Sequence, residues 1–162
     1  MYEIRTSTRI AAPIERVFDL ARSIEAHLAS ADGTAEAAVA GRTSGLLELG
    51  ETVTWRARHF GVTQHLTTRI TAFDRPNHFQ DRMVRGAFRS LEHDHFFRQE
   101  GDAVVMSEVL RFAAPRPGLG WLVERLVLGP YFKRFLRDRN AALKRMAETD
   151  AWKKILPMSV EA

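Results

Sequence analysis

Apolar and polar positions along the chain follow two different periods. From Tyr2 to Ala11 they alternate, with Ile4, Thr6, Thr8 and Ile10 on one face and Glu3, Arg5, Ser7 and Arg9 on the other. A period of two is the signature of a half-buried strand. Ala12-Pro13 stops it, and Pro13 suits the start of a helix, where a missing N–H costs nothing. Ile14, Val17, Phe18 and Ala21, then Ile24 and Leu28, recur at helical spacing and predict two short helices broken near Ser23. Asp32-Gly33 reads as a turn and Ala35–Ala40 as a weak strand. Gly41–Gly50 reads as a loop whose Leu46, Leu47 and Leu49 either rim a pocket or pack onto the domain's own edge.

The next five strands carry their own register, because turn length fixes which residues oppose each other. Glu51–Phe60 and Val62–Phe73 meet at Phe60-Gly61, pairing His59 with Val62, Trp55 with Leu66 and Val53 with Thr68. A turn at Asp74-Arg75-Pro76-Asn77 pairs Ala72 with Phe79, Ile70 with Asp81 and Thr68 with Met83. A connection at Gly86-Ala87-Phe88 pairs Met83 with Leu91, Asp81 with His93 and Phe79 with His95. A turn at Gln99-Glu100-Gly101-Asp102 then pairs His95 with Met106, His93 with Glu108 and Leu91 with Leu110. These choices place Val53, Trp55, Leu66, Ile70, Phe79, Met83, Leu91, Phe97, Met106, Leu110 and Phe112 on one face. Arg56, Arg58, Arg69, Arg82, Glu92, Asp94, Arg98 and Arg111 fall on the other. The last strand ends at Phe112, before Pro115 and Pro117.

From Gly118 to about Ala147 the period returns to that of a helix. Leu122, Leu126, Phe132, Leu136, Leu143 and Met146 form its apolar stripe, expected to face the sheet, with a kink at Gly129-Pro130. Antiparallel strands followed by one long amphipathic helix predict an α+β fold: a sheet of about seven strands curled around that helix. Residues 1–149 read as one domain and 150–162, with Trp152, Ile155 and Leu156, as an added tail.

Composition narrows the chemistry. The chain has 162 residues, 45% hydrophobic and 27% charged, as expected of a soluble domain with a sizeable core. It contains no cysteine, which excludes disulfides and thiolate chemistry. The start of the chain lacks an apolar leader and no stretch is long enough to span a membrane, so a cytoplasmic location is expected. Net charge is +4, but 24 basic residues are interleaved with 20 acidic ones. The outward arginines are interrupted by Glu92 and Asp94 and lack an aromatic stacking series, so no nucleic-acid partner is expected. Nucleotide-binding glycine loops, nucleophile elbows and zinc-type spacings are absent.

The start Ile10-Ala-Ala-Pro-Ile-Glu-Arg-Val-Phe-Asp-Leu20 resembles the opening of the bacterial polyketide cyclase/dehydrase-like branch of the START-like, or Bet v 1-like, helix-grip superfamily (SRPBCC). Val53-Thr-Trp-Arg-Ala-Arg-His-Phe-Gly61, Asp81-Arg-Met-Val-Arg-Gly-Ala-Phe88, His93-Asp-His95 and Pro117-Gly-Leu-Gly120 resemble a ligand-binding subgroup of that branch. The resemblance covers roughly Tyr2 to Glu148. It implies a helix-grip fold and a cavity between sheet and helix for lipids, sterols, quinones, polyketides or hormones. It implies no particular catalytic residue.

One group on the apolar sheet face is out of place. The register puts Asp81, His93 and Glu108 in one row across three strands, with His95 two residues along and Arg85 farther out near Trp55 and Leu66. Buried charge must be paired or wetted. The row therefore reads as a structural network, as the polar end of an apolar ligand pocket, or as a metal site, since His-x-His on a strand points both imidazoles one way. The tight ligand spacing of known metal sites is missing, so neither metal nor cofactor is expected. The expected ligand-binding set is Trp55, Leu66, Phe79, Asp81, Met83, Arg85, His93, His95, Met106 and Glu108. The ligand is a hydrophobic or amphipathic small molecule. Acid–base catalysis of the cyclase or dehydratase type by His93 with Asp81 and Glu108, and docking of a partner protein, are the alternatives.

Overall fold

The computed structural model describes residues 1–31, 35–59, 61–114 and 120–157. In chain order the elements are β1 (Tyr2–Ile10), α1 (Ile14–Ala21), α2 (Ile24–Ser30), β2 (Ala37–Gly41), β3 (Thr52–His59), β4 (Val62–Asp74), β5 (His78–Arg85), β6 (Ser90–Glu100) and β7 (Ala103–Ala113). A short α3 (Gly120–Val123) runs through a π-helical turn, Glu124–Leu128, into α4 (Gly129–Glu148), and a 3-10 turn follows at Asp150–Lys154. Seven strands form one antiparallel sheet in the order β1-β7-β6-β5-β4-β3-β2, curved around the C-terminal helix. This is the α+β helix-grip architecture the sequence predicts. The Asp32-Gly33 turn, Phe60 in the β3–β4 hairpin, the break at Pro115 and Pro117, the helix start at Gly118 and the end of the tail (158–162) lie outside the described residues.

Local chemistry explains the boundaries. Ser23 separates the two short helices because its hydroxyl accepts the Ala26 N–H at 3.2 Å, capping α2. Of the three leucines in the loop before β3, Leu47 is buried, Leu46 half-buried, and Leu49 exposed. Leu47 is held there by its N–H bond to the Arg22 carbonyl at 3.1 Å. Arg22 also pairs with buried Asp19, which Arg75 engages from the β4–β5 turn at 2.7 Å. Trp152 and Leu156, from the stretch read as a tail, are buried in the main core.

The β3–β4 register is the predicted one, with Trp55 opposite Leu66 and Val53 opposite Thr68. In β4–β5, Ile70 opposes Asp81 and Thr68 opposes Met83 as predicted, but Phe79 opposes Phe73 rather than Ala72. A bulge between Ile70 and Ala72 absorbs the difference, and a second at Thr67/Thr68 sets Arg85 opposite Thr67. The β6–β7 pairing departs further. Gly101, at φ 63°, and Asp102 alone make the turn, so Glu100 pairs with Ala103. A two-residue turn with a left-handed glycine replaces the predicted four-residue one, and every partner moves by two. His95 opposes Glu108, His93 opposes Leu110, Leu91 opposes Phe112, and Phe97 opposes Met106. A shift of two preserves facing, so the apolar face stands while the pairs across it change.

The helix also departs from its predicted phase. Pro130 has no N–H to continue an α-helical ladder, and the Gly129 N–H bonds instead to the Glu124 carbonyl five residues back. The wider π turn under-rotates the segment before it. Leu136 and Leu143 face the sheet at 2% and 4% exposure, whereas Leu122 and Leu126 are 37% and 63% exposed. The expectation that all four point inward is therefore corrected for the first two. Leu136→Ala should cost about 2–5 kcal/mol, and Leu126→Ala no more than about 0.5 kcal/mol. Urea melts of the two variants test this, and comparable losses would contradict the observed phase.

Candidate functional site

The concave face of the sheet packs against α1, α2 and α4. Two apolar clusters result: one around Phe18, Phe79, Phe97 and Met106, and a smaller one around Leu91, Leu110, Phe112 and Leu136. A hollow of about 130 Å³ draws its walls from both, including Val53, Trp55, Ile70, Phe79, Leu91, Leu110 and Leu136. A second hollow of about 210 Å³ adjoins it, under Ala87, Phe88, Leu128 and Tyr131. The two share Glu36, Trp55, His59, Leu66, Leu91 and Phe132.

A cluster of ionisable groups reaches the first hollow. His93 and His95 are two residues apart on β6 and so point the same way, with ring centroids 3.9 Å apart. Asp81 comes from β5, directly opposite His93, yet its carboxylate meets His95 Nε2 at 3.2 Å. Glu108 Oε1 lies 3.2 Å from His95 Nδ1 and 3.5 Å from His93 Nε2. The other Glu108 oxygen accepts the Thr6 hydroxyl at 3.0 Å and the Asn140 side-chain amide. Phe79 stacks on the His95 ring at 4.2 Å. The central residue is thus His95, between two carboxylates, and the predicted Asp81–His93–Glu108 row is corrected to this arrangement by the two-residue shift of β7.

Electrostatics separate the two histidines. Burial disfavours charge on His95, but Asp81 and Glu108 outweigh it and raise its pKa. Burial, then the neighbouring His95 charge, push His93 down to about 3 against the pull of Glu108 and Asp81. Burial opposes ionisation of Glu108 too, yet His95, His93 and Arg139 hold it below the usual carboxylate range. The cluster therefore favours a proton on His95, between two carboxylates, over one on His93, whose Nε2 has no hydrogen-bond partner. Across the hollow, His27 stacks on Trp55 at 4.1 Å and contacts Glu36 at 3.2 Å.

Residues 1–148 match the family described as "Polyketide cyclase / dehydrase and lipid transport". The chain belongs to this family. Among solved structures, a Thermus thermophilus protein is similar at 21% identity and TM-score 0.73, over 90% of this chain and 97% of that one. A major latex-like protein from Panax ginseng aligns at 13% identity and TM-score 0.67, over 91% and 98%. A START superfamily protein from Mycobacterium smegmatis aligns at 14% and 0.64, over 91% and 98%. These likenesses establish the fold. Among curated protein sequences, none matches the chain.

On this polyketide cyclase/dehydrase-family scaffold, six of the predicted site residues line the first hollow: Trp55, Leu66, Phe79, Asp81, His93 and His95. Glu108 lies behind His95, and Met106 is buried in the core. Met83 is half-buried outside both hollows, and Arg85 is exposed, carried outward past the Thr67/Thr68 bulge. Sequence reasoning missed Arg139 and Asn140, both buried on α4. The signal was present: Arg139 stands three residues after Leu136 and four before Leu143, on the buried stripe. Arg139 lines the hollow, and its Nε has no hydrogen-bond partner. His59, read from the sequence as a polar point on the inner face, lines the hollow, whereas His27 on α2 and Glu36 just before β2 were missed.

His95→Gln removes the imidazole that two buried carboxylates share and should cost on the order of 3–5 kcal/mol. His93→Gln removes a group without a hydrogen bond and should cost about 1 kcal/mol. Denaturant melts of both variants decide the point. Equal losses, or the reverse order, would show that His95 is not the group the two carboxylates depend on.

Proposed function

We propose that the protein binds a hydrophobic or amphipathic small molecule in the space between sheet and α4. The apolar body lies against Trp55, Leu66, Leu91 and Phe132, and the polar end faces Asp81, His93 and Arg139. The observation that carries this reading is the lining itself: two adjoining hollows with mostly apolar walls and a few convergent, partly unpartnered polar groups at one end. The family description, which includes lipid transport, agrees with such a ligand. Acid–base catalysis by His93 is the weaker reading, since an imidazole pushed down to about 3 is a poor base near neutrality. Among the described residues, no helix is long and apolar enough to cross a membrane.

The test uses the double variant Trp121→Phe, Trp152→Phe, which leaves Trp55 as the sole tryptophan. Palmitate or an anilinonaphthalene sulfonate dye should change Trp55 emission saturably. Leu66→Phe, which adds bulk where the hollows join, should weaken the response about tenfold or more. Absence of a saturable change with both probes would defeat the binding proposal.

A further inference from the structure

Asp81, His93 and His95 each offer one ligand atom to a common point, and these atoms lie within 4.8 Å of one another. We propose that they form a site for one divalent first-row transition-metal ion, of the zinc or iron(II) class, with Glu108 as the carboxylate that orients His95. The site stands independently of the small-molecule reading.

The geometry suits an ion. Ligand atoms about 2.0–2.2 Å from a tetrahedral ion lie roughly 3.3–3.6 Å from each other. Asp81 and His95 already stand at 3.2 Å. His93, within 4.8 Å of both, completes the shell by drawing in by at most about 1.5 Å. All three ligands sit on two paired strands, with Asp81 opposite His93 in register, and such positions hold direction better than loops. Two imidazoles and one carboxylate are a donor set that first-row ions take with coordination positions left open. Here those positions face the hollow, because all three residues line it.

Two further observations point to a ligand. His93 Nε2 is buried and has no hydrogen-bond partner, an arrangement that costs free energy unless something fills it. His95 has a carboxylate at each nitrogen: Asp81 at Nε2 and Glu108 at Nδ1, both at 3.2 Å. The Glu108 contact is an ion pair rather than a hydrogen bond from Nδ1. A carboxylate at the far nitrogen is how metal-bound histidines are oriented. Glu108 is itself fixed by Thr6 and Asn140, so it serves as the positioning group while Asp81 supplies the direct bond.

Charge agrees with this assignment. Asp81, Glu108 and Glu36 are the carboxylates around the hollow, and Arg139 is the guanidinium that acts on all three. Arg139 repels a cation, but it offsets only one of three negative charges. A divalent ion held by two neutral imidazoles offsets the remaining two and brings the group to neutrality. The spacing read as too loose for metal binding is the spacing of two strands joined by a hairpin. Its tightness appears only across the sheet.

The experiment takes the full-length protein, stripped with chelator and dialysed, and titrates it with Zn²⁺ or Co²⁺ alone in equilibrium dialysis. We expect one equivalent bound with a dissociation constant of about 10 µM or tighter. Asp81→Asn and His93→Gln should each weaken it about 100-fold, and Glu108→Gln about 10- to 100-fold, while His78→Gln leaves it unchanged. X-ray absorption of the zinc-loaded wild type needs no variant and should show two imidazoles at about 2.0–2.1 Å. Lack of stoichiometric uptake at ~100 µM metal, wild-type affinity in Asp81→Asn and His93→Gln, or a shell without imidazole would each overturn the site.

Discussion

A carboxylate buried between sheet and helix is a liability, and the fold is arranged around satisfying one. Glu108 sits mid-strand on β7, with Thr6 of β1 opposite it on one side and His95 of β6 on the other. Asn140 of α4 reaches down to the same oxygen as Thr6. Desolvating such an ion costs several kcal/mol unless its oxygens are engaged. Meeting that requirement fixes the β1–β7 and β6–β7 registers and the rotation of α4 together. A slip of any one of them would leave the charge uncompensated, so the group specifies arrangement as well as tolerating it.

The fold was legible in the sequence because period and turn chemistry agreed. Trp55 and Leu66 were placed opposite each other by the Phe60-Gly61 turn, and the structure keeps them there. The β6–β7 hairpin shows the limit of such reading. Gln99-Glu100-Gly101-Asp102 is polar throughout, so composition alone does not say whether two or four residues turn. The left-handed Gly101 settles it. Because the error was an even number of residues, the inward set survived while Glu108 exchanged His93 for His95. Facing is a robust property of a strand, and pairing is a fragile one.

The site was legible in its residue types and less so in its membership. His93, His95, Asp81 and Glu108 stood out as polar letters in an apolar register. Arg139 and Asn140 did not, because helices tolerate polar residues everywhere and only their phase against Leu136 and Leu143 marks them as buried. The phase itself was obscured farther upstream, where the π turn displaced Leu122 and Leu126 from the stripe they continue on paper. Glu36 and His27 lie before β2 and on α2, far from β6 along the chain, and no local pattern encodes that they line the same space.

The pairing of β1 with β7 has a kinetic consequence. Thr6 and Glu108 are 102 positions apart in the chain, whereas strands β3 to β7 join by short hairpin turns between sequence neighbours. Loop-closure entropy must be met before so distant a contact returns anything. The meander of hairpins can therefore assemble early, and the sheet's rim is closed last. Until β1 docks, Glu108 lacks its Thr6 partner and α4 lacks the strand it lies against most closely. Chains still on the way to the native state consequently hold Glu108 against His95 across the β6–β7 hairpin but without its Thr6 partner, and the site is complete only with the final topological step.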